Sequence, residues 1–202
     1  LLHAASKECY RIDTIAGGNS PGAPSNSTLV QTPEREPGGW CTVDTYGDES
    51  MMGVNGQHHF NAIAKHRLGV YAPSQETLIH YSPQPQQVFV SPSDTQTPQA
   101  KFVGVEVAPG HYWYFESRAS FGVFETFDAT DPWVTGLSVR ADGDGASWGS
   151  MLLSMASWAP TLQPGDTYDS QQFHVRFTVG QWVQDPAGPV LPLTVEYLPG
   201  SA

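Results

Sequence analysis

Residues 101–118, KFVGVEVAPGHYWYFESR, constrain the fold more than any other stretch of this chain. Val103, Val105 and Val107 alternate, a Pro109-Gly110 turn follows, and a second run rich in aromatics comes after it. Alternation on both sides of a Pro-Gly turn predicts a β-hairpin with one buried face. The plan recurs in WVTGLSVRADGDGASWGSMLLSMAS, where Asp-Gly-Asp-Gly makes the connection. FHVRFTVGQWV and PVLPLTVEYL add two more apolar runs of strand length. Roughly six to eight short strands, with turn signals about every ten residues, predict a β-sandwich from residue 71 onward. Twenty glycines and seventeen prolines, with charged residues only 14% of the chain, favour strands and loops over long helices.

One helix is predicted. Phe60, Ile63, Ala64 and Leu68 fall at i, i+3, i+4 and i+8, which is one face of a helix. Lys65, His66 and Arg67 sit late in it, where cations suit the negative end of the dipole, and Gly69 is placed to cap it. Residues 1–50 read mostly as loop, because IAGGNSPGAPSNSTLVQTPEREPGGW carries too many Gly, Pro and Ser for regular structure. The chain divides into residues 1–70 and a β-sandwich over 71–202.

Charge narrows the partners. The net charge is −11 with only nine Lys and Arg, so no nucleic-acid partner is expected, for want of clustered cations. No apolar run reaches the length of a membrane span, and no signal peptide is visible. The chain opens Leu1-Leu2-His3-Ala4, so the native protein is expected to begin earlier. Cys9 and Cys41 flank the Gly/Pro/Ser-rich loop. A disulfide between them is expected, since it would restrict the unfolded chain by about 3 to 4 kcal/mol; two buried thiols are the alternative. Asn26-Ser27-Thr28 is a glycosylation sequon, which together with a disulfide fits a secreted protein.

The stretch YGDESMMGVNGQHHFNAIAKHRLGVY, residues 46–71, resembles the metzincin zinc proteases, in particular the gametolysin-like metalloendopeptidases. That family places a zinc-binding HExxHxxGxxH helix before a turn written roughly YGDxxDxMG, then a helix that begins HFNA and ends K-x-x-LG. Tyr46-Gly47-Asp48 and Met52-Gly53 match the turn; His59-Phe60-Asn61-Ala62, Lys65 and Leu68-Gly69 match the helix. HYWYFESR and LQPGDTY resemble the β-sandwich that follows such protease domains. The implied fold is mainly β: the C-terminal subdomain of a metzincin-like domain, made of loops, a Met-turn and one helix, followed by the sandwich.

By the same resemblance, His3 would be the third zinc ligand and Met52 the apolar floor beneath the metal. Tyr46, Asp48, His59 and Asn61 would then be structural neighbours of the site. Three imidazoles leave one tetrahedral corner for a water, which a Glu beside the first His deprotonates while zinc polarises the scissile carbonyl. HExxH is absent here, and with it two ligands and the base, so these 202 residues are not competent alone. Val54 stands where several metzincins carry an oxyanion-stabilising Tyr.

Other polar groups read as structural. His58, His59 and His66 lack an evident third ligand and read as surface or capping residues. His80, His111 and His174 read as polar strand residues. Asp142 and Asp144 lie in a Gly-rich turn without the late Glu of a calcium loop, so calcium is not expected. Two functions result. The first is the C-terminal portion of a secreted zinc metalloendopeptidase that acts on extracellular or cell-wall proteins or glycoproteins, with the rest of its own catalytic domain as partner. The second is a non-catalytic extracellular protein in which Trp113, Tyr114 and Trp148 form a carbohydrate- or protein-binding face.

Overall fold

The computed structural model describes residues 7–12, 28–30, 40–44, 61–120, 127–142, 150–153, 161–170 and 173–200. Strands β1 (Lys7–Ile12), β2 (Thr28–Val30) and β3 (Trp40–Asp44) come first, then helix α1 (Ala62–Arg67), β4 (Glu76–Ile79) and β5 (Gln86–Val90). Strands β6 (Phe102–Ala108) and β7 (His111–Glu116) precede helix α2 (Pro132–Thr135), β8 (Leu137–Asp142), β9 (Ser150–Leu153) and β10 (Thr161–Leu162). Strands β11 (Thr167–Ser170), β12 (Val175–Val179), β13 (Val183–Asp185) and β14 (Gly188–Tyr197) complete the order.

The strands form two sheets. One runs β4-β6-β7-β8 with β10 also on β8, and continues through β9, β1, β3 and β2 to nine strands. The other runs β11-β12-β14-β13 with β5 also on β14. The protein is therefore mainly β with a two-sheet, sandwich-like architecture. The predicted hairpin is β6–β7, antiparallel from Val103↔Phe115 to Ala108↔His111, with an irregularity between Glu106 and Ala108. Gly110 takes φ 73°, a left-handed conformation that glycine adopts without a Cβ penalty.

Alternation decides what each face carries. Val103, Val105 and Val107 from β6, Trp113 and Phe115 from β7, and Leu137 and Val139 from β8 point inward. They meet Val175, Phe177 and Val179 from β12 and Leu191, Leu193 and Val195 from β14 in one buried cluster. Phe177 joins the sheets, its ring 5.6 Å from Trp113 and 4.9 Å from Phe115. Each such side chain contributes about 1.5 to 3 kcal/mol by leaving water.

Several expectations change here. Residues 1–50 are not only loop, since β1, β2 and β3 lie within them. These strands also extend the larger sheet, because β1 pairs in parallel with β9 from Lys7↔Met151 to Cys9↔Leu153. The predicted helix is present as α1 and ends as expected at Gly69, φ 66°. Gly69 N–H donates to the His66 carbonyl and Val70 N–H to that of Lys65, the paired bonds of a Schellman cap. Its predicted buried face is only partly right. Ile63 is buried, but Leu68 is 51% exposed. Lys65, His66 and Arg67 occupy the last turn as expected, and a buried carboxylate partner draws Lys65 inward from there. Histidine placement differs too: His80 follows β4, and His174 sits in a turn at φ 53°.

Candidate functional site

Most of the sequence-predicted site lies outside the described residues: His3, Tyr46, Asp48, Met52, Gly53, His59, the sequon Asn26, and Trp148 and Asp144 of the other expectations. Asn61 is described. It is 2% exposed, and its carbonyl accepts from Lys65 N–H at 3.0 Å in the first turn of α1. Among the described residues, no three His, Cys, Asp or Glu converge on a point that could hold a metal ion. A zinc set is therefore not found there, and no catalytic step is derived through one. The β1–β3 register sets Cys9 opposite Val43 and Cys41 opposite Arg11, two positions apart along the ladder.

What the structure does bring together is a buried ionic network beneath α1, on the face of the larger sheet that points away from the sandwich core. Glu116, at the end of β7, is its hub. Trp113 and Phe115 face the core, so alternation turns Glu116 outward; α1 and the 91–97 loop then cover it to 2% exposure. Its Oε2 accepts the Ala62 N–H, the first of α1, at 2.9 Å. Its Oε1 accepts from Ser93 Oγ at 3.3 Å. Arg118 Nε stands 3.3 Å from Oε1 and Arg140 Nε 3.9 Å from Oε2, with both arginine side chains 1% exposed.

Lys65 supplies the second tie. Its ammonium donates to Asp94 Oδ1 and, at 3.3 Å, to Ser93 Oγ. Ser93 Oγ is also 3.1 Å from Asp94 Oδ2, so its single proton has two carboxylates to choose between. The loop carrying Ser93 and Asp94 is fixed by Ser93 N–H donating to the Ser117 carbonyl at 2.8 Å. Tyr71 closes one side. Its hydroxyl lies against Ser93 in a geometry that makes no good hydrogen bond. Burial, and then the charges of Glu116 and Asp94, raise its pKa well above the usual phenol value. Lys101, buried nearby, is lowered by desolvation against the opposing pull of Asp94.

This arrangement holds, and does not react. Both oxygens of Glu116 are engaged and the Lys65 ammonium is held by Asp94, so neither is set up as a general base or nucleophile. Buried ion pairs of this kind do little for net stability, but removing one partner is costly because it strands the other charge in the interior.

A second feature runs along the same sheet face. His66 stacks on Phe102 at 4.4 Å and 7°, Phe102 on Tyr114 at 4.9 Å, and Tyr114 on Tyr112 at 6.2 Å. His80 meets Tyr112 edge-on at 6.1 Å. Each terminal histidine bonds a carboxylate at 2.8 Å, His66 to Glu76 and His80 to Glu106. Trp113 is absent from this strip because it is 1% exposed in the core, which corrects its expected place on a binding face. Tyr114 is half-buried, with Phe102 stacked on it and Tyr112 beside it.

The network was not foreseen from sequence. Glu116 and Arg140 gave a signal, as charged residues in register with outward positions of apolar strands. Their burial follows only from α1 and the loop folding over them. Compared with known proteins, the chain matches no family model, no curated protein and no solved structure.

Proposed function

We propose that this chain is the C-terminal portion of a secreted, zinc-dependent metalloendopeptidase of the gametolysin-like metzincin type. It acts on extracellular or cell-wall proteins or glycoproteins. Residues 1–70 belong to the catalytic domain and 71–202 form the sandwich that follows it. The observation that carries the reading is the ordered run Tyr46-Gly47-Asp48, Met52-Gly53, His59-Phe60-Asn61-Ala62, Lys65 and Leu68-Gly69. Its later part is supported by α1, which spans Ala62–Arg67 and is capped at Gly69, the glycine that closes the family's K-x-x-LG.

In this reading His3 is the third ligand of the zinc, and the other two ligands and the Glu base come from the HExxH segment. Met52 would form the apolar floor of that site. Bound zinc would activate a water and polarise the peptide carbonyl. The residues of this chain would contribute one imidazole, the floor and the support of α1. The test is metal analysis of the full-length protein. About one zinc per chain is expected, lost on His3→Ala; unchanged metal content in that variant overturns the assignment.

A further inference from the structure

We infer that Glu116 is a positioning residue, a latch by which the sandwich seats helix α1. Three observations converge on this. First, the Ala62 N–H that α1 cannot bond internally is taken by a carboxylate 54 residues away on a strand of the sheet. Second, α1 has only six residues, too few to persist in water on its own, so its helical state depends on tertiary contacts. Third, those contacts are specific: Ala62 and Ile63 pack with Phe102, Tyr71 and Tyr114, His66 stacks on Phe102 and bonds Glu76, and Lys65 reaches Asp94.

The apolar part of this seat is small, because Leu68 and Val70 beyond it are 51% and 61% exposed. Direction and register of the helix therefore come from the polar ties. Glu116 fixes where α1 starts, and Lys65 fixes its rotation about its own axis. Arg118 and Arg140 hold the carboxylate in place from the sheet side, with Ser138 Oγ donating to the Glu116 carbonyl at 3.3 Å. Burial gives the latch its selectivity, since a displaced helix would leave a charge in the interior without its partner.

The latch extends the protease reading but does not depend on it. The experiment reads amide hydrogen exchange over residues 61–70 against strands β6, β7, β12 and β14, with no zinc and no activity involved. Glu116→Asp keeps an anion among the arginines but withdraws it from Ala62 by one methylene. Exchange over 61–70 is expected to rise about tenfold or more while the sandwich strands change by less than about twofold. Lys65→Met breaks the second tie from the helix side and is expected to give the same local release. No change over 61–70, or an equal rise everywhere, overturns the latch, as does failure of both variants to fold. Local release in a full-length protein that binds no zinc would keep the latch and sink the protease reading.

Discussion

Single residues carry their effects for different physical reasons, and two glycines separate them. A Cβ at Gly110 meets nothing within 4 Å, yet its φ is +73°. Gly110→Ala should therefore cost about 1 kcal/mol through backbone strain alone. Gly136 has φ −131°, open to any residue, but a Cβ there would lie 2.4 Å from the Leu162 carbonyl oxygen. Backbone cannot yield as a side chain can, so Gly136→Ala should cost about 2 to 3 kcal/mol in chemical denaturation, the larger loss of the two. Glu106 shows a pH effect at the same scale. Its carboxylate accepts from the Gly110 N–H at 2.9 Å and bonds His80, and these contacts, the Gly110 bond first, lower its pKa. A lowered folded value means the stabilisation is complete above the ordinary carboxylate pKa of about 4.3 and is lost as pH falls through the folded one. Carboxyl NMR of Glu106 should show a midpoint below the unfolded value, and Glu106→Gln should remove that part of the acid dependence of stability.

At the scale of elements, legibility in the sequence followed how local the cause was. The β6–β7 hairpin was readable because Val103, Val105, Val107 and Pro109-Gly110 are adjacent in the chain, and alternation alone assigns the faces. The C-terminal cap of α1 was readable for the same reason, since Leu68-Gly69 determines it nearly unaided. The buried face of α1 was not. Lys65 carries the same charge in solvent or in the interior, and what draws it inward is Asp94, 29 residues away in a loop with no periodicity. Strands β1, β2 and β3 were hidden because Gly, Pro and Ser dominate the residues between them. The ion-pair network was hidden because it needs three separate elements to meet. Its energetics give a prediction that belongs to the element: Asp94→Asn leaves Lys65 buried beside a neutral partner. That should cost about 3 kcal/mol or more in urea denaturation, against about 0.5 kcal/mol for an exposed ion pair. Lys65→Met in the same chain should recover most of the loss, because no charge then remains to be desolvated at that point.

For the whole molecule, the question is which parts of the nine-stranded sheet share one folding unit. From β4 to β8 the larger sheet is backed by the core it shares with β12 and β14, where Phe177 touches both Trp113 and Phe115. Phe177→Ala should therefore cost about 3 to 5 kcal/mol and lower the stability of both sheets together, while Phe89→Ala, at a position 46% exposed, should stay within about 0.5 kcal/mol. Among the described residues, strands β1, β2 and β3 join the rest through β1 and β9, a parallel ladder of three residue pairs. Parallel pairing is slightly weaker per residue than antiparallel, and three pairs give little cooperativity across the junction. Opening of β1–β3 should then need less free energy than opening of the sandwich. In native-state hydrogen exchange, the β1 and β3 amides should respond to low denaturant first, and those of β6, β7, β12 and β14 only with global unfolding. Cys9 and Cys41 provide the control, since their offset positions on β1 and β3 place the effect of any bridge inside this unit. Reduction should accelerate exchange in β1 and β3 alone if the cysteines are joined. Equal protection across all nine strands, with or without reductant, would show that the sheet folds as one body and that the short junction is stronger than its three pairs imply.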